Sequence, residues 1–242
     1  MDTFTLSTIG TIQSCYQEKF GIPRQPRLVT ESISELVLSP PYNDPNSLRE
    51  IERFSHLWLM FIFHQTQDAG WKPLIRPPRL GGNKRIGVFA SRSTFRPNPL
   101  GMSAVELAGV NHNSDKVSLL LRGCDLLNGT PIVDIKPYIP YSDSILDAQA
   151  GFASSAPDVL FAVNFTDLAI QQCEQYSIEQ NNQQYGLAFD LKKLIVQILQ
   201  LDPRPSYQQQ LGERVYAMRL YNFDLRWRYC EDSTILVLEL SQ

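Results

Sequence analysis

The spacing of hydrophobic and polar positions changes character partway along this chain. In the first half, apolar residues fall in short runs or alternate with polar ones, as strands do, and clusters of Gly, Pro and Asn separate the runs. This pattern predicts strands over 4–14, 27–38, 56–63, 85–90, 104–110, 116–121 and 131–138. One helix interrupts them: Asp44 is placed to cap it, Pro45 to open it, and Leu48, Ile51 and Phe54 share a face. So many strands with turn signals between them favour a barrel or sandwich over a doubly wound sheet. Residues 147–157 are small, polar and weakly periodic, and read as a linker between domains at 1–146 and 158–242.

Beyond the linker a strand is predicted over 159–165 and a helix over 166–178. A more strongly amphipathic helix over 190–201 is capped by Asp190, with Leu191, Leu194, Ile195, Ile198 and Leu199 on one stripe. Strand patterns over 214–228 and 234–240 close the chain. This second part reads as a small α+β unit.

Composition narrows the classes without naming one. The chain has 242 residues, 43% hydrophobic and 19% charged, as expected of a folded soluble protein. Its N-terminus lacks the basic and apolar regions of a signal peptide. The most apolar run, Leu57–Phe63, is too short to span a bilayer. Four scattered cysteines, Cys15, Cys124, Cys173 and Cys230, suggest neither zinc nor a disulfide framework, and a reducing cytoplasm is expected. The three histidines lack metal-ligand spacing, so no metal is expected.

Charge is more telling in its distribution than in its sum. Net charge is −3, yet residues 70–105 hold seven basic side chains and no Asp or Glu, which leaves the remainder at −10. A basic segment on an acidic background suits a local anionic partner such as a phosphate, a carboxylate or nucleic acid. The same segment contains RSTFRPNPLGMS, residues 92–103. There Pro97 and Pro99 force Arg96 and Asn98 into extended geometry, and Gly101 permits close backbone approach.

Other stretches carry candidate chemistry. In GTPIVDIKPY, residues 129–138, strand alternation puts Ile132, Asp134, Lys136 and Tyr138 on one face. That row reads either as an exposed strand with an ion pair worth a few tenths of a kcal/mol, or as a proton-handling row in a cleft. GIPRQPR, residues 21–27, is a stiff loop presenting Arg24 and Gln25, groups that suit a carboxylate or a base edge. His64 and Gln65 end an apolar strand. SPPY, residues 39–42, matches a pattern found in amino-group methyltransferases, but the glycine-rich cofactor loop of those enzymes is missing. It reads better as a turn leading to Asp44. Near the C-terminus, LDPRPSYQ carries Arg204 and Tyr207, and LRWRY places Arg226 and Arg228 opposite Leu225, Trp227 and Tyr229. That strip is either an ordinary edge strand or a phosphate-contacting surface with aromatics for stacking. Dinucleotide, P-loop and zinc-deaminase signatures are all absent.

Taken together, GIPRQ, FSHLWLMFIFHQ, RIGVFASRSTFRPNPLGMSAVEL, LNGTPIVDIKPY and DPRPSYQ resemble the TsaA-like (YaeB, now TrmO) family of tRNA methyltransferases that use S-adenosylmethionine. The resemblance implies a mainly β, single-sheet β-barrel N-terminal domain and a small α+β C-terminal domain that helps bind tRNA. It also implies a homodimer, and methyl transfer to N6 of threonylcarbamoyl-adenosine beside the anticodon, chiefly in threonine tRNAs. Family cofactor positions fall on Pro23, Arg24, Gln25, His64, Gln65, Arg92, Gly101, Met102 and the turn Asp125, Leu126, Leu127, Asn128.

The chemistry adds roles to these positions. Arg24 or Arg92 suits the donor's carboxylate, and Asp134 is the expected base or its orienting partner, with Lys136 and Tyr138 shaping the site. Arg96 and Asn98 are expected on the substrate side, and Arg204, Tyr207, Arg226 and Arg228 on tRNA. The rival readings are a barrel that binds S-adenosylmethionine or RNA without chemistry, and a methyltransferase of another substrate.

Overall fold

A computed structural model describes residues 2–113, 116–183, 189–204 and 214–242. The chain forms two compact units, each discontinuous in sequence. Met1–Gln13, Ser34–Leu121 and Gly129–Ala156 make the first, and Ser14–Ile33, Arg122–Asn128 and Pro157–Gln242 the second.

The first unit is built on a closed antiparallel barrel. Its strands are β1 (Gly10–Gln13), β2 (Ile33–Leu38), β3 (His56–Ile62), β6 (Leu100–Asn113), β7 (Lys116–Arg122) and β8 (Pro131–Pro137). They are ordered β1-β2-β7-β6-β3-β8, and β8 pairs back onto β1. Between β3 and β6 lies a small two-stranded ladder, β4 (Leu74–Ile75) with β5 (Ile86–Gly87). Alternation decides what enters the barrel. On β3, Leu57, Leu59 and Phe61 are buried while His56, Trp58, Met60 and Ile62 stay half-exposed. Between β2 and β7, buried Glu35 takes the Ser118 hydroxyl and the Lys116 ammonium, the latter at 2.6 Å. A buried carboxylate without such partners would be costly.

Gly101 faces Phe61 across the β3–β6 ladder. The Phe61 and Phe63 rings meet edge to face at 5.1 Å. A Cβ at Gly101 would run into the Phe61 ring and lie 2.9 Å from Phe63 Cζ. The glycine therefore makes room for phenylalanine.

Several expectations change in detail. The helix predicted after Asp44 is two 3₁₀ turns, Pro45–Leu48 and Ile51–Arg53, because Glu50 between them is left-handed at φ 71°. Asp44 does cap, accepting from Asn46 N at 2.9 Å, but of the three apolar positions only Leu48 is buried. The strand predicted over 85–90 shrinks to β5 and a 3₁₀ turn, Val88–Ala90, with Val88 its one buried side chain. The strand predicted over 27–38 begins only at Ile33, after Arg27 turns left-handed at φ 66°. SPPY forms a turn, Tyr42 N donating to Ser39 O at 2.8 Å. A single helical turn, α1 (Pro140–Asp143), follows β8.

In the second unit, β9 (Ala162–Phe165), β10 (Val215–Leu220), β11 (Phe223–Cys230) and β12 (Thr234–Ser241) form a sheet ordered β10-β11-β12-β9, with β9 parallel to β12. The pattern over 214–228 is thus a hairpin. Tyr221, left-handed at φ 49°, and Asn222 turn the chain between its strands.

Helices α2 (Asp167–Gln183) and α3 (Leu191–Leu199) contribute to this unit's core. All five predicted stripe residues of α3 are buried, and Asp190 caps it by accepting from Lys193 N at 2.9 Å. On α2, Ala169, Cys173 and Tyr176 are buried at spacings that bring them to one face. Burial pushes the Cys173 thiol up to about 12. Trp227 is fully buried in the core and stacks with Phe20 at 5.8 Å and Tyr216 at 6.0 Å. Cys15, Tyr16, Val29 and Ile33 belong to the same core.

Two substitutions test this packing. Asp190→Ala should lower stability by about 1 kcal/mol through the lost cap, read as a lower urea midpoint at unchanged slope. Gly101→Ala should lose roughly 1–3 kcal/mol by overpacking. Adding Phe61→Leu should restore part of that loss, and a Gly101→Ala protein melting like wild type would contradict the assignment.

Candidate functional site

Strand register carries the proposed chemistry to the outside of the barrel. Across β6, β3 and β8, Met102 pairs with Met60 and Met60 with Asp134. The next outward row is Ala104, Trp58, Lys136. Tyr138 N donates to His56 O at 3.0 Å, and the Tyr138 ring lies 5.6 Å from that of Trp58. Asp134, Lys136 and Tyr138 therefore share one face, with Met102 two strands away, roughly 10 Å by strand spacing.

Ile132 departs from the predicted row. The β3–β8 register shifts between Met60 and Phe61, so that Ile132 pairs with Phe61 and is fully buried. A bulge inserts one extra residue and reverses which side chains face inward. The sequence alternation could not show it.

Asp134 is held by its neighbours. Its Oδ1 accepts from Ile135 N at 2.9 Å, and Oδ2 pairs with Lys136 Nζ at 2.8 Å. Trp58 and Met60, which the motif reading left out, supply the apolar ground beside this pair. Their signal was the plain alternation of β3. Trp58 Nε1 also donates to Asp143 at 3.0 Å, the carboxylate that takes the Ile139 N–H ahead of α1.

At the far end of β3, His64 is half-buried and Gln65 exposed. Phe63 N donates to Pro99 O at 2.7 Å, which ties this strand end to the proline loop before β6. His64, Gln65, Gly101 and Met102 are thereby gathered at neighbouring strand ends. Gly101 itself points into the barrel, and the half-exposed surface there belongs to Met102.

Within the loop, Arg92 and Asn98 are exposed. Arg96 instead folds back: its Nη1 donates to Ser91 O at 2.9 Å and Val88 O at 3.3 Å, and its guanidinium lies 5.6 Å from the Phe89 ring centre. The loop is thus stiffened by a side chain as well as by two prolines.

The remaining positions expected to bind the cofactor lie in the second unit and are stitched to each other. Pro23 is buried, Arg24 exposed and Gln25 half-buried. Their loop ends at Arg27, whose N–H donates to Gly123 O at 2.8 Å, just ahead of Asp125. Gly123 N donates in turn to Ser32 O at 2.9 Å. Ser14 fixes the turn itself: its hydroxyl donates to Leu126 O at 2.8 Å, and its N–H to Asn128 Oδ1 at 3.2 Å. Leu126 and Leu127 bury their side chains, and Asn128 N donates to Tyr16 O at 2.8 Å, so the turn's backbone is itself tied into this unit.

In the second unit Arg24 exposes a guanidinium, a group that suits a carboxylate. In the first unit Arg92 is exposed, and the Lys136 ammonium is paired with Asp134 at 2.8 Å. Among the described residues no group of three His, Cys, Asp or Glu is placed to hold a metal ion.

Of the residues expected on tRNA, Arg226 and Arg228 are exposed on the outer face of β11, with Arg226 paired to Glu239 at 3.1 Å. Tyr207 lies outside the described residues. Arg204 is only 6% exposed: it forks onto Asp202 at 2.8 and 3.0 Å and lies 3.5 Å over Tyr229. Tyr229 completes the cluster by donating to Asp202 at 2.8 Å. Burial opposes the Arg204 charge, but the Asp202 carboxylate outweighs it and raises the guanidinium's pKa. Burial, and then the same carboxylate, push the Tyr229 phenol up. Arg204 thus serves the unit's interior.

Comparison with known proteins agrees with this architecture. The tRNA-methyltransferase O N-terminal domain matches residues 11–144, and the TrmO C-terminal domain matches residues 158–242. A tRNA (adenine(37)-N6)-methyltransferase of Escherichia coli is 49% identical over 231 residues, covering 94% of each chain. A putative S-adenosylmethionine-dependent methyltransferase of Pseudomonas aeruginosa is 41% identical over 99% of this chain and 98% of its own. The crystal structure of TrmO from Pseudomonas aeruginosa superposes with a TM-score of 0.81 at 36% identity, covering both chains completely. The chain belongs to the tRNA-methyltransferase O family.

Proposed function

We propose that this protein methylates N6 of the adenosine beside the anticodon in tRNA, using S-adenosylmethionine, and that the adenosine carries a threonylcarbamoyl group, chiefly in threonine tRNAs. The observation that carries this reading is the 49% identity, over 94% of both chains, to a bacterial tRNA (adenine(37)-N6)-methyltransferase. The donor supplies an electrophilic methyl group. The acceptor nitrogen of a threonylcarbamoyl-adenosine is urea-like and weakly basic, so orientation contributes much of the rate and a base must remove its proton. Asp134 is that base or orients it. Its Lys136 partner and its hydrogen bond from Ile135 fix the carboxylate, and Tyr138 walls the site with Trp58.

Arg24 or Arg92 pairs with the donor's carboxylate, and Asn98 faces substrate from a loop that Arg96 keeps rigid. Arg226 and Arg228 contact tRNA phosphates. The enzyme works as a cytoplasmic homodimer. Tyr141, Ile145 and Leu146, which are among its most exposed large apolar side chains, support such self-association, with Leu146 98% exposed.

Labelled donor and bulk tRNA test the reading directly. Wild type should transfer label to tRNA from normal cells and far less to tRNA from cells unable to make threonylcarbamoyl-adenosine; equal labelling would remove the substrate assignment. Asp134→Asn should lower turnover by about 10²–10⁴-fold, the usual span for a lost acid–base group, with donor affinity retained. Near wild-type turnover would assign the base elsewhere. In light-scattering measurements, Leu146→Asp should shift the dimer toward monomer.

A further inference from the structure

The excursion between β3 and β6 has a surface that neither the donor nor the acceptor nitrogen requires. Trp71 is 54% exposed and Phe89 73%, although both sit on well-tied backbone. Lys72 N donates to Phe95 O at 3.2 Å and Val88 N to Pro73 O at 3.0 Å, and the β4–β5 ladder joins the two limbs. On this frame two cation–aromatic pairs meet at one dipeptide: Lys72 Nζ lies 4.3 Å over the Phe95 ring, and the neighbouring Arg96 lies against Phe89. Arg76, Lys84 and Arg85 are exposed on the same excursion, and residues 70–105 contain no acidic side chain.

Solvent-facing aromatics on a tied backbone, set among exposed cations, have the chemistry of a single-stranded RNA platform. Base planes stack on rings and on guanidinium groups, and phosphates meet the cations. The 70–105 segment supplies no acidic group of its own to offset the exposed Arg76, Lys84 and Arg85. We infer that the 71–89 excursion is a base-stacking platform for unpaired nucleotides of the substrate RNA, with Trp71 and Phe89 as its plates and Arg76, Lys84 and Arg85 as its phosphate contacts. This inference rests on the tRNA reading above. It assigns the barrel unit its own grip on the nucleotides that flank the target, apart from the arginines of β11.

Binding of tRNA, followed by fluorescence anisotropy across a salt series, tests it. Trp71→Ala and Phe89→Ala should each weaken tRNA binding about tenfold, within the range for a lost base stack, and leave the salt slope unchanged. The Lys84→Gln, Arg85→Gln pair should instead reduce that slope by about 1.4, at about 0.7 for each single-strand phosphate contact. Trp71→Phe should retain most of the affinity, and donor affinity should stay at the wild-type value in every variant. If the alanine variants bind tRNA as wild type does while wild type methylates it, the platform is refuted. Unchanged RNA affinity with an altered oligomeric state would make the face a protein contact instead. If wild type neither binds nor methylates tRNA, the proposed function fails first and the platform with it.

Discussion

The constraint from which the first unit follows is a six-stranded barrel closed tightly enough to be filled by its own side chains. Small barrels have room inside for packing and little else. Here the interior is so fully used that Gly101 must lack a side chain for Phe61 to fit. On its outer face Asp134, Met60 and Met102 line up across three strands, and in the connections prolines and Arg96 supply the rigidity that the sheet supplies elsewhere.

What the sequence made legible, and what it hid, divides along the same line. The strands were readable because burial on one face leaves a period of two, and α3 because a capped stripe leaves a period near 3.6. Features set by a single backbone angle were not. Glu50 splits an expected helix, Tyr221 folds an expected strand into a hairpin, and a bulge turns Ile132 inward while Asp134 stays out. At the candidate site, motif order pointed to particular loops. It could not say which arginines remain available, because that depends on partners brought by the fold. Val88 and Ser91 occupy Arg96, Asp202 encloses Arg204, and Arg24 stays exposed. Trp71 and Phe89 were invisible for the converse reason: nothing in the pattern says that an aromatic side chain will be left uncovered.

The second unit makes a different use of charge. Asp202, Arg204 and Tyr229 form a buried polar knot on an otherwise apolar core. The guanidinium is flat enough to lie on the Tyr229 ring while its edge forks onto the carboxylate, which a lysine could not do. Such a cluster adds directionality to a core that hydrophobic contact alone leaves less specified.

The interleaving of the two units has a consequence for how the protein can be divided. Tyr16 and Val29 come from the first tenth or so of the chain, yet they pack with Trp227 and Leu194. A gene cut at the polar stretch after the barrel would separate the written sequence but not the folded bodies. One fragment would carry orphaned apolar side chains, and the other would have gaps in its core. The C-terminal unit is therefore no detachable cassette, and recombination or truncation that respects the folded bodies must carry three separate stretches of chain together.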